Sequence, residues 1–226
     1  MRKTIAFAGL GLAAALVLSG CSAPAEEAAE EPMTSEEAEA PMIDTVNSDG
    51  SNLRAQLTAL LADHVYLAGA AIDQALQDGG DLTTEQVGAA VAALDENSVE
   101  VAALVGSAYP DAEQPFLDSW RSHIPFFVNY TVAKATGDQA GVDQAVSDLN
   151  GYAVSFGQLI NSVVPELPAE AVQAELEMHA VSLLAAIDAN IANDPAYFDL
   201  LKEAASHMPM TANALAGGIA TNLELQ

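Results

Sequence analysis

The histidines of this chain recur at a spacing that is typical of a repeated helical hairpin. His64, His123 and His179 lie 59 and 56 residues apart, and each follows a leucine by three to six residues. A second set of positions recurs every 55 residues, and its members are Asn97, Tyr152 and His207. Repeats of this length indicate units that bury their apolar faces only against neighbouring copies. The sequence therefore predicts three tandem helical hairpins.

Apolar residues recur every three or four positions from Leu53 onward, which predicts an all-α fold. Glycines, prolines and capping residues divide this pattern into helices. The predicted bounds are 52–78, 83–107, 112–136, 139–162, 168–192 and 195–222. Pro125 and Pro209 fall inside two of these helices, where each kinks the helix or marks a new start. Three such hairpins form an antiparallel bundle of about six helices, or a compact ring of hairpins.

The first 21 residues have the form of an export signal. Arg2 and Lys3 precede an apolar run, 5–18, that is too short for a stable membrane span. Leu18-Ser19-Gly20-Cys21 resembles the lipobox of bacterial lipoproteins, in which the cysteine becomes the lipidated first residue. The resemblance implies an outward-facing protein held at the cell membrane by lipid on Cys21. The alternative is an ordinary signal peptide with a stray cysteine.

The segment 22–52 is rich in Ala, Glu, Pro and Ser and has almost no large apolar residue. Such a composition cannot bury enough surface to offset the entropy of ordering. We therefore expect an acidic, disordered tether at 22–52, between the signal peptide (1–21) and a helical bundle domain (53–226).

The chain carries six basic and 32 acidic residues, for a formal net charge of −26. Such a charge repels phosphate backbones, which excludes nucleic acid as an expected partner. An acid-rich surface is also typical of salt-adapted exported proteins. Cys21 is the only cysteine, so disulfides and thiolate metal sites are not expected in the bundle.

The apolar faces of the first and fifth predicted helices include His64 and His179, so both imidazoles should point into the core. A repeat carries equivalent positions to a shared centre, which predicts a histidine-lined metal site. Imidazole with thioether and no thiolate suits copper best. The predicted ligands are His64, His123, His179, His207, Met208 and Met210. The residues predicted to orient these ligands from outside are Asp63, Asn97, Arg121, Tyr152, Glu175 and Glu203.

Several alternatives to a copper site stay open. Each histidine is also explained by a hydrogen bond in the core, and each methionine by core packing. Haem binding is a further alternative, although no Cys-x-x-Cys-His motif is present. The segment 120–127 is either a core helix or a surface for a partner, which leaves a non-catalytic scaffold for an envelope protein as the second functional hypothesis. No enzyme motif is present, so no enzymatic activity is expected.

Four segments resemble a family of exported bacterial all-helical proteins. They are Asp63-His64-Val65-Tyr66-Leu67-Ala68, Leu94-Asp95-Glu96-Asn97-Ser98-Val99, Trp120-Arg121-Ser122-His123-Ile124 and His207-Met208-Pro209-Met210. Members of this family are sometimes labelled copper-amine-oxidase-like, and they carry Glu where this chain has Asp63. The resemblance covers nearly all of 53–223 and implies a helical fold and export rather than a particular activity.

Overall fold

The computed structural model describes residues 46–225, and within that range every regular element is a helix. The all-α prediction is confirmed for this part of the chain. The predicted signal peptide with Cys21, and the tether as far as residue 45, lie outside the described residues. The helices are α1 (Asp49–Gln77), α2 (Glu85–Ala108), α3 (Glu113–Ser122), α4 (Ile124–Thr136), α5 (Gln139–Val163), α6 (Ala169–Ile191), α7 (Tyr197–Ser206) and α8 (Met208–Asn222).

Short polar side chains start three of the long helices. Ser48, Thr84 and Asp138 each accept a hydrogen bond from a backbone N–H in the first turn of α1, α2 and α5, which satisfies a donor that the helix itself leaves free. The helix α1 begins at Asp49, so the last four residues of the predicted tether are helical. Gly137 ends α4 in the left-handed conformation, with φ of 74°, as glycine does most readily.

Two of the six predicted helices are each divided in two. The break between α3 and α4 falls at His123, and the break between α7 and α8 falls at His207. Proline occupies the first turn of the following helix in both cases, at Pro125 and Pro209, because it has no N–H for the carbonyl four residues earlier. Both breaks carry the sequence Ser-His-x-Pro, at 122–125 and 206–209. The two segments therefore form the same local structure, and each places one histidine at a break.

The three hairpins close into a ring. Within the hairpins α1 packs on α2, α4 on α5, and α6 on α7. Between the hairpins α2 packs on α3, α5 on α6, and α8 returns to α1. The helices α4 and α1 also contact α6 across the interior. The first helices of the hairpins thus meet inside the ring, and these are the helices that carry the repeated histidines.

Of the described helices, α1 alone is long and apolar enough to cross a membrane by length and composition. The same test is passed by the core helix of a soluble bundle. In this structure α1 packs on α2, α7 and α8 and buries Leu57, Leu61 and Val65 in the hydrophobic core.

The second and third hairpins approach each other closely at Gly157. A Cβ atom at this position of α5 would lie 2.5 Å from the carbonyl oxygen of Ala169 at the start of α6. We expect Gly157→Ala to lower the free energy of unfolding by about 1–3 kcal/mol, because rigid backbone must move to make room. Urea denaturation measures this change.

The matched control is Gly151→Ala on the same helix, where an added Cβ meets nothing within 4 Å. That change should stabilise the protein by roughly 0.5–1 kcal/mol, since alanine favours a helix over glycine. Equal effects of the two substitutions would contradict the close approach of α5 and α6.

Candidate functional site

The three repeated histidines form a layer across the interior of the helix ring. His64 lies on α1, His123 at the break between α3 and α4, and His179 on α6. Each lies beside the equivalent position on the second half of its own hairpin, and the three pairs are His64 with Asn97, His123 with Tyr152, and His179 with His207. We call His64, His123 and His179 the histidine layer.

A hydrogen-bond chain from α2 orients the ring of His64. The side-chain N–H of Asn97 donates to the carbonyl oxygen of Leu60 at 3.0 Å, which leaves the Asn97 Oδ1 atom facing His64 Nδ1 at 3.2 Å. Because Oδ1 can only accept, Nδ1 carries the proton and Nε2 of the neutral ring carries a lone pair. An imidazole held by its outer N–H in this way is arranged as a metal ligand is.

The Nε2 atoms of His64 and His123 face each other at 3.3 Å. If His123 donates from Nε2, its Nδ1 is a buried lone pair with no hydrogen-bond partner. If its proton is on Nδ1 instead, two lone pairs face each other. Either arrangement leaves a polar position unsatisfied in the interior, at a cost of about 1–3 kcal/mol.

His179 completes the layer but is not hydrogen-bonded to the other two rings. The residue is partly exposed, and its surface lines the cavities described below. Its Nδ1 is enclosed and unpaired. The carbonyl oxygen of Ala204 opposes the lowering of the ring's pKa by burial, but it makes no hydrogen bond of normal geometry.

Burial keeps the histidine layer neutral. It lowers the pKa of His64 from 6.5 to about 4, although the Asn97 hydrogen bond opposes the shift. Burial likewise lowers the pKa of His179 to about 4, with the charges of His64 and His207 adding to the effect. The pKa of His123 lies well below 6.5 because of burial and the proximity of His64 and His179. A neutral imidazole keeps one ring nitrogen free of a proton, and this is the form that binds a metal ion.

An aromatic group surrounds His123. The ring of Trp120 lies 4.9 Å from that of His64 and 5.1 Å from that of His123, and the ring of Tyr152 lies 4.9 Å from that of His123. Both residues are 8 % exposed, and neither the indole N–H nor the tyrosine hydroxyl has a hydrogen-bond partner. Four unpaired polar atoms are thus concentrated around the histidine layer, on Trp120, His123, Tyr152 and His179.

Two cavities meet at the histidine layer, and all three of its histidines line both. The first, of about 200 Å³, extends among the aromatic rings of Phe116, Trp120, Tyr152 and Phe156, and we call it the aromatic cavity. The second, of about 510 Å³, extends along Ala68, Ala71, Ala75 and Ala135, and we call it the alanine cavity.

The other predicted ligands are divided between the interior and the surface. Met208 is 5 % exposed and lines the aromatic cavity. His207, one residue earlier, lies at the helix break near His179 and lines neither cavity. Met210 is 57 % exposed on the outside of α8. Neighbouring helical positions point about 100° apart, so the His207–Met210 segment directs only one side chain into the site.

The predicted outer residues separate in the same way. Asn97 holds His64, Tyr152 contacts His123, and Glu175 lines the aromatic cavity. The three that lie outside the site are Asp63, Glu203 and Arg121. Asp63 and Glu203 are exposed, and Arg121 makes two hydrogen bonds to Asp95 at 2.6 and 2.7 Å with both partners part-exposed. These charged groups lie at the helix surface because moving a charge out of water into the interior costs free energy.

The sequence interpretation did not assign Trp120 to the site. Trp120 lies three residues before His123, which caps the end of α3, so both side chains point to the same side, and this spacing was the available signal. Within residues 46–225, no three His, Cys, Asp or Glu side chains already stand close enough to form a metal site. Comparison with protein families, curated proteins and solved structures finds no match.

Proposed function

We propose that the bundle binds one copper ion, in its cuprous state, between His64 and His123, with His179 and Met208 as further ligands. The observation that carries this proposal is the 3.3 Å separation of the two Nε2 atoms. Two nitrogen ligands that are each about 2.0–2.1 Å from a tetrahedral ion lie roughly 3.3–3.4 Å apart. The rings thus already have the spacing that a shared ion requires.

A bound ion also removes the conflict between the two Nε2 atoms that face each other. With an ion at the two Nε2 atoms, His123 is free to carry its proton on Nδ1, next to the carbonyl oxygen of Trp120 that raises its pKa. The same holds for His179 and the carbonyl of Ala204. All three imidazoles then direct their lone pairs inward and their N–H groups outward, as ligating histidines do.

The chemistry of the site favours a monovalent soft ion. The ligands are neutral imidazoles and a thioether, and thioether selects Cu(I) over harder ions. Burying a divalent ion with neutral ligands alone leaves a larger uncompensated charge in a low-dielectric interior. Zn(II), which three histidines also suit, is the main competitor in the test.

The same proposal includes the cellular location. The lipobox-like Leu18–Cys21 supports an outward-facing lipoprotein that presents the bundle outside the cell membrane. The strongly acidic chain concentrates cations around it without selecting among them. The function in this setting is capture or buffering of copper, and no catalytic group is assigned.

Anaerobic titration of the chain from Ser22 onward with Cu(I), in competition with a coloured chelator, tests the proposal. We expect one equivalent to bind tightly. Trp120 is the only tryptophan of the chain, and its ring lies 4.9 Å from that of His64, so the bound ion should quench its fluorescence in proportion to loading.

Two controls separate this site from the acidic surface. Ions held by surface carboxylates bind weakly, in several equivalents, and leave Trp120 fluorescence unchanged. A variant with glutamine at all three positions of the histidine layer should lose the tight equivalent and the quenching. Tight zinc binding with no copper preference would overturn the choice of ion, and the absence of any stoichiometric metal would leave the non-catalytic scaffold as the better explanation.

A further inference from the structure

The alanine cavity has a continuous uncharged wall from the surface to the histidine layer. None of its lining residues is Asp, Glu, Lys or Arg, in the part of the chain that the structure describes. The chain as a whole has 32 acidic residues among 226, so this wall differs sharply from the rest of the protein. A charged molecule would lose its hydration there without meeting an opposite charge.

The mouth of this cavity is apolar as well. Leu82, Val91 and Val132 line the cavity and are 48 %, 49 % and 47 % exposed. They come from the α1–α2 loop, from α2 and from α4. Large apolar side chains grouped at a rim, rather than scattered singly, mark a site where apolar molecules are taken up.

The size and the inner end of the cavity set the kind of ligand. Its volume of about 510 Å³ lies within the roughly 300–1,000 Å³ of small-molecule sites. The alanines on α1 and α4 leave this room because their side chains are short. The imidazole rings of His64, His123 and His179 close the inner end of the cavity. Burial lowers the pKa of all three rings, so the inner end presents no charge to a ligand.

We propose that the alanine cavity binds a neutral, apolar small molecule with two aromatic ring systems, which enters past Leu82, Val91 and Val132 and ends against the histidine layer. This site goes beyond the copper site and requires no bound ion. When copper is present, the ligand lies next to it.

Two fluorescent probes of nearly equal size test this in metal-free protein. N-phenyl-1-naphthylamine is neutral, and 8-anilinonaphthalene-1-sulfonate adds one negative charge to the same rings. We expect the neutral probe to bind with one equivalent, and the sulfonate to bind at least about tenfold more weakly. Equal binding of both probes would instead indicate general apolar surface and would overturn the proposal.

Two pairs of variants locate the binding. Ala68→Phe fills the cavity one turn from His64, whereas Ala70→Phe places the same side chain on the exposed face of α1. Val91→Asp puts a charge at the mouth, whereas Val99→Asp puts it on an exposed part of α2 away from both cavities. We expect the first member of each pair to weaken the neutral probe at least about tenfold, and the second to leave it unchanged.

Thermal unfolding of each variant shows whether it is folded, and loss of binding counts only in a folded variant. Equal affinity in Ala68→Phe and Ala70→Phe, both folded, would overturn the proposal, as would the absence of neutral-probe binding to the unsubstituted protein. Because the measurements use metal-free protein, failure here leaves the copper titration intact, and failure of the copper titration leaves this site intact.

Discussion

Changing His64 or His123 to glutamine should lower the affinity for Cu(I) by at least about a hundredfold. Each substitution removes one of the two Nε2 atoms that face each other at 3.3 Å. Loss of an outer partner that merely orients a ligand already costs 10–100-fold, and loss of the ligand itself should cost more. Chelator competition and the quenching of Trp120 measure the change independently.

His207→Gln is the matched control for these substitutions. His207 is a histidine of the same repeat that lies near His179 but lines neither cavity. We expect its replacement to change copper affinity less than about threefold, within ordinary context effects. A loss as large as that of His64→Gln would mean that the site is centred elsewhere.

Asn97→Leu tests how the site is organised rather than what it contains. The Asn97 Oδ1 atom accepts a hydrogen bond from the Nδ1–H of His64 and so directs the Nε2 lone pair inward. Removing this acceptor should lower copper affinity by about 10–100-fold while leaving one equivalent bound. Unchanged affinity would show that His64 does not need its outer hydrogen bond, and would weaken the case for a preorganised site.

Metal-free protein should lose stability steeply between pH 6.5 and about 4. Both His64 and His179 have a pKa of about 4 in the folded protein, against 6.5 for an exposed histidine. The unfolded chain therefore takes up protons first as the pH falls. The contribution of the two histidines to the free energy of unfolding is fully present above pH 6.5. The difference corresponds to about 3 kcal/mol for each histidine below pH 4, and the lowered pKa of His123 adds in the same direction.

Urea denaturation at pH 7.5, 6, 5 and 4 measures this dependence. The other titratable groups that face the layer are His207, Tyr152 and Glu175. The double variant His64→Gln with His179→Gln should show a much flatter profile, because it keeps the acidic surface and removes two protonation sites. If the free energy of unfolding of the variant falls as steeply with pH as that of the unsubstituted protein, carboxylates and not the histidine layer cause the acid sensitivity.

The helical pattern predicted the elements well because short-range signals determine where helices begin and end. Helix ends are set by residues that act on nearby backbone groups. Examples are the N-caps Thr84 and Asp138 and the left-handed residue Gly137. The predicted bounds differ from the observed ones by a few residues, as frayed ends do. The two helix breaks also followed from local chemistry, since Pro125 and Pro209 remove a backbone donor wherever they occur.

The site was less accessible from the sequence. The repeat indicated that three histidines share a centre. It could not show which of the residues near them in sequence line the site. Asp63 and Glu203 are one and four residues from a histidine and still lie on the surface, whereas Trp120 belongs to the site through its ring contacts. Adjacency along a helix does not decide direction, because direction depends on which face the other hairpins cover.

The sequence by itself determined an acidic protein whose described part, 46–225, is helical and consists of three related hairpins with proline breaks at two histidines. These features depend on residues that are close along the chain. Only the tertiary structure decided that α8 returns to α1 and closes the ring, that Asn97 of α2 reaches Leu60 and His64 of α1, and that cavities remain on both sides of the histidine layer. Closure and cavities depend on how side chains from distant segments fill a shared interior. No single segment contains this information, because it depends on contacts between segments that are far apart in the chain.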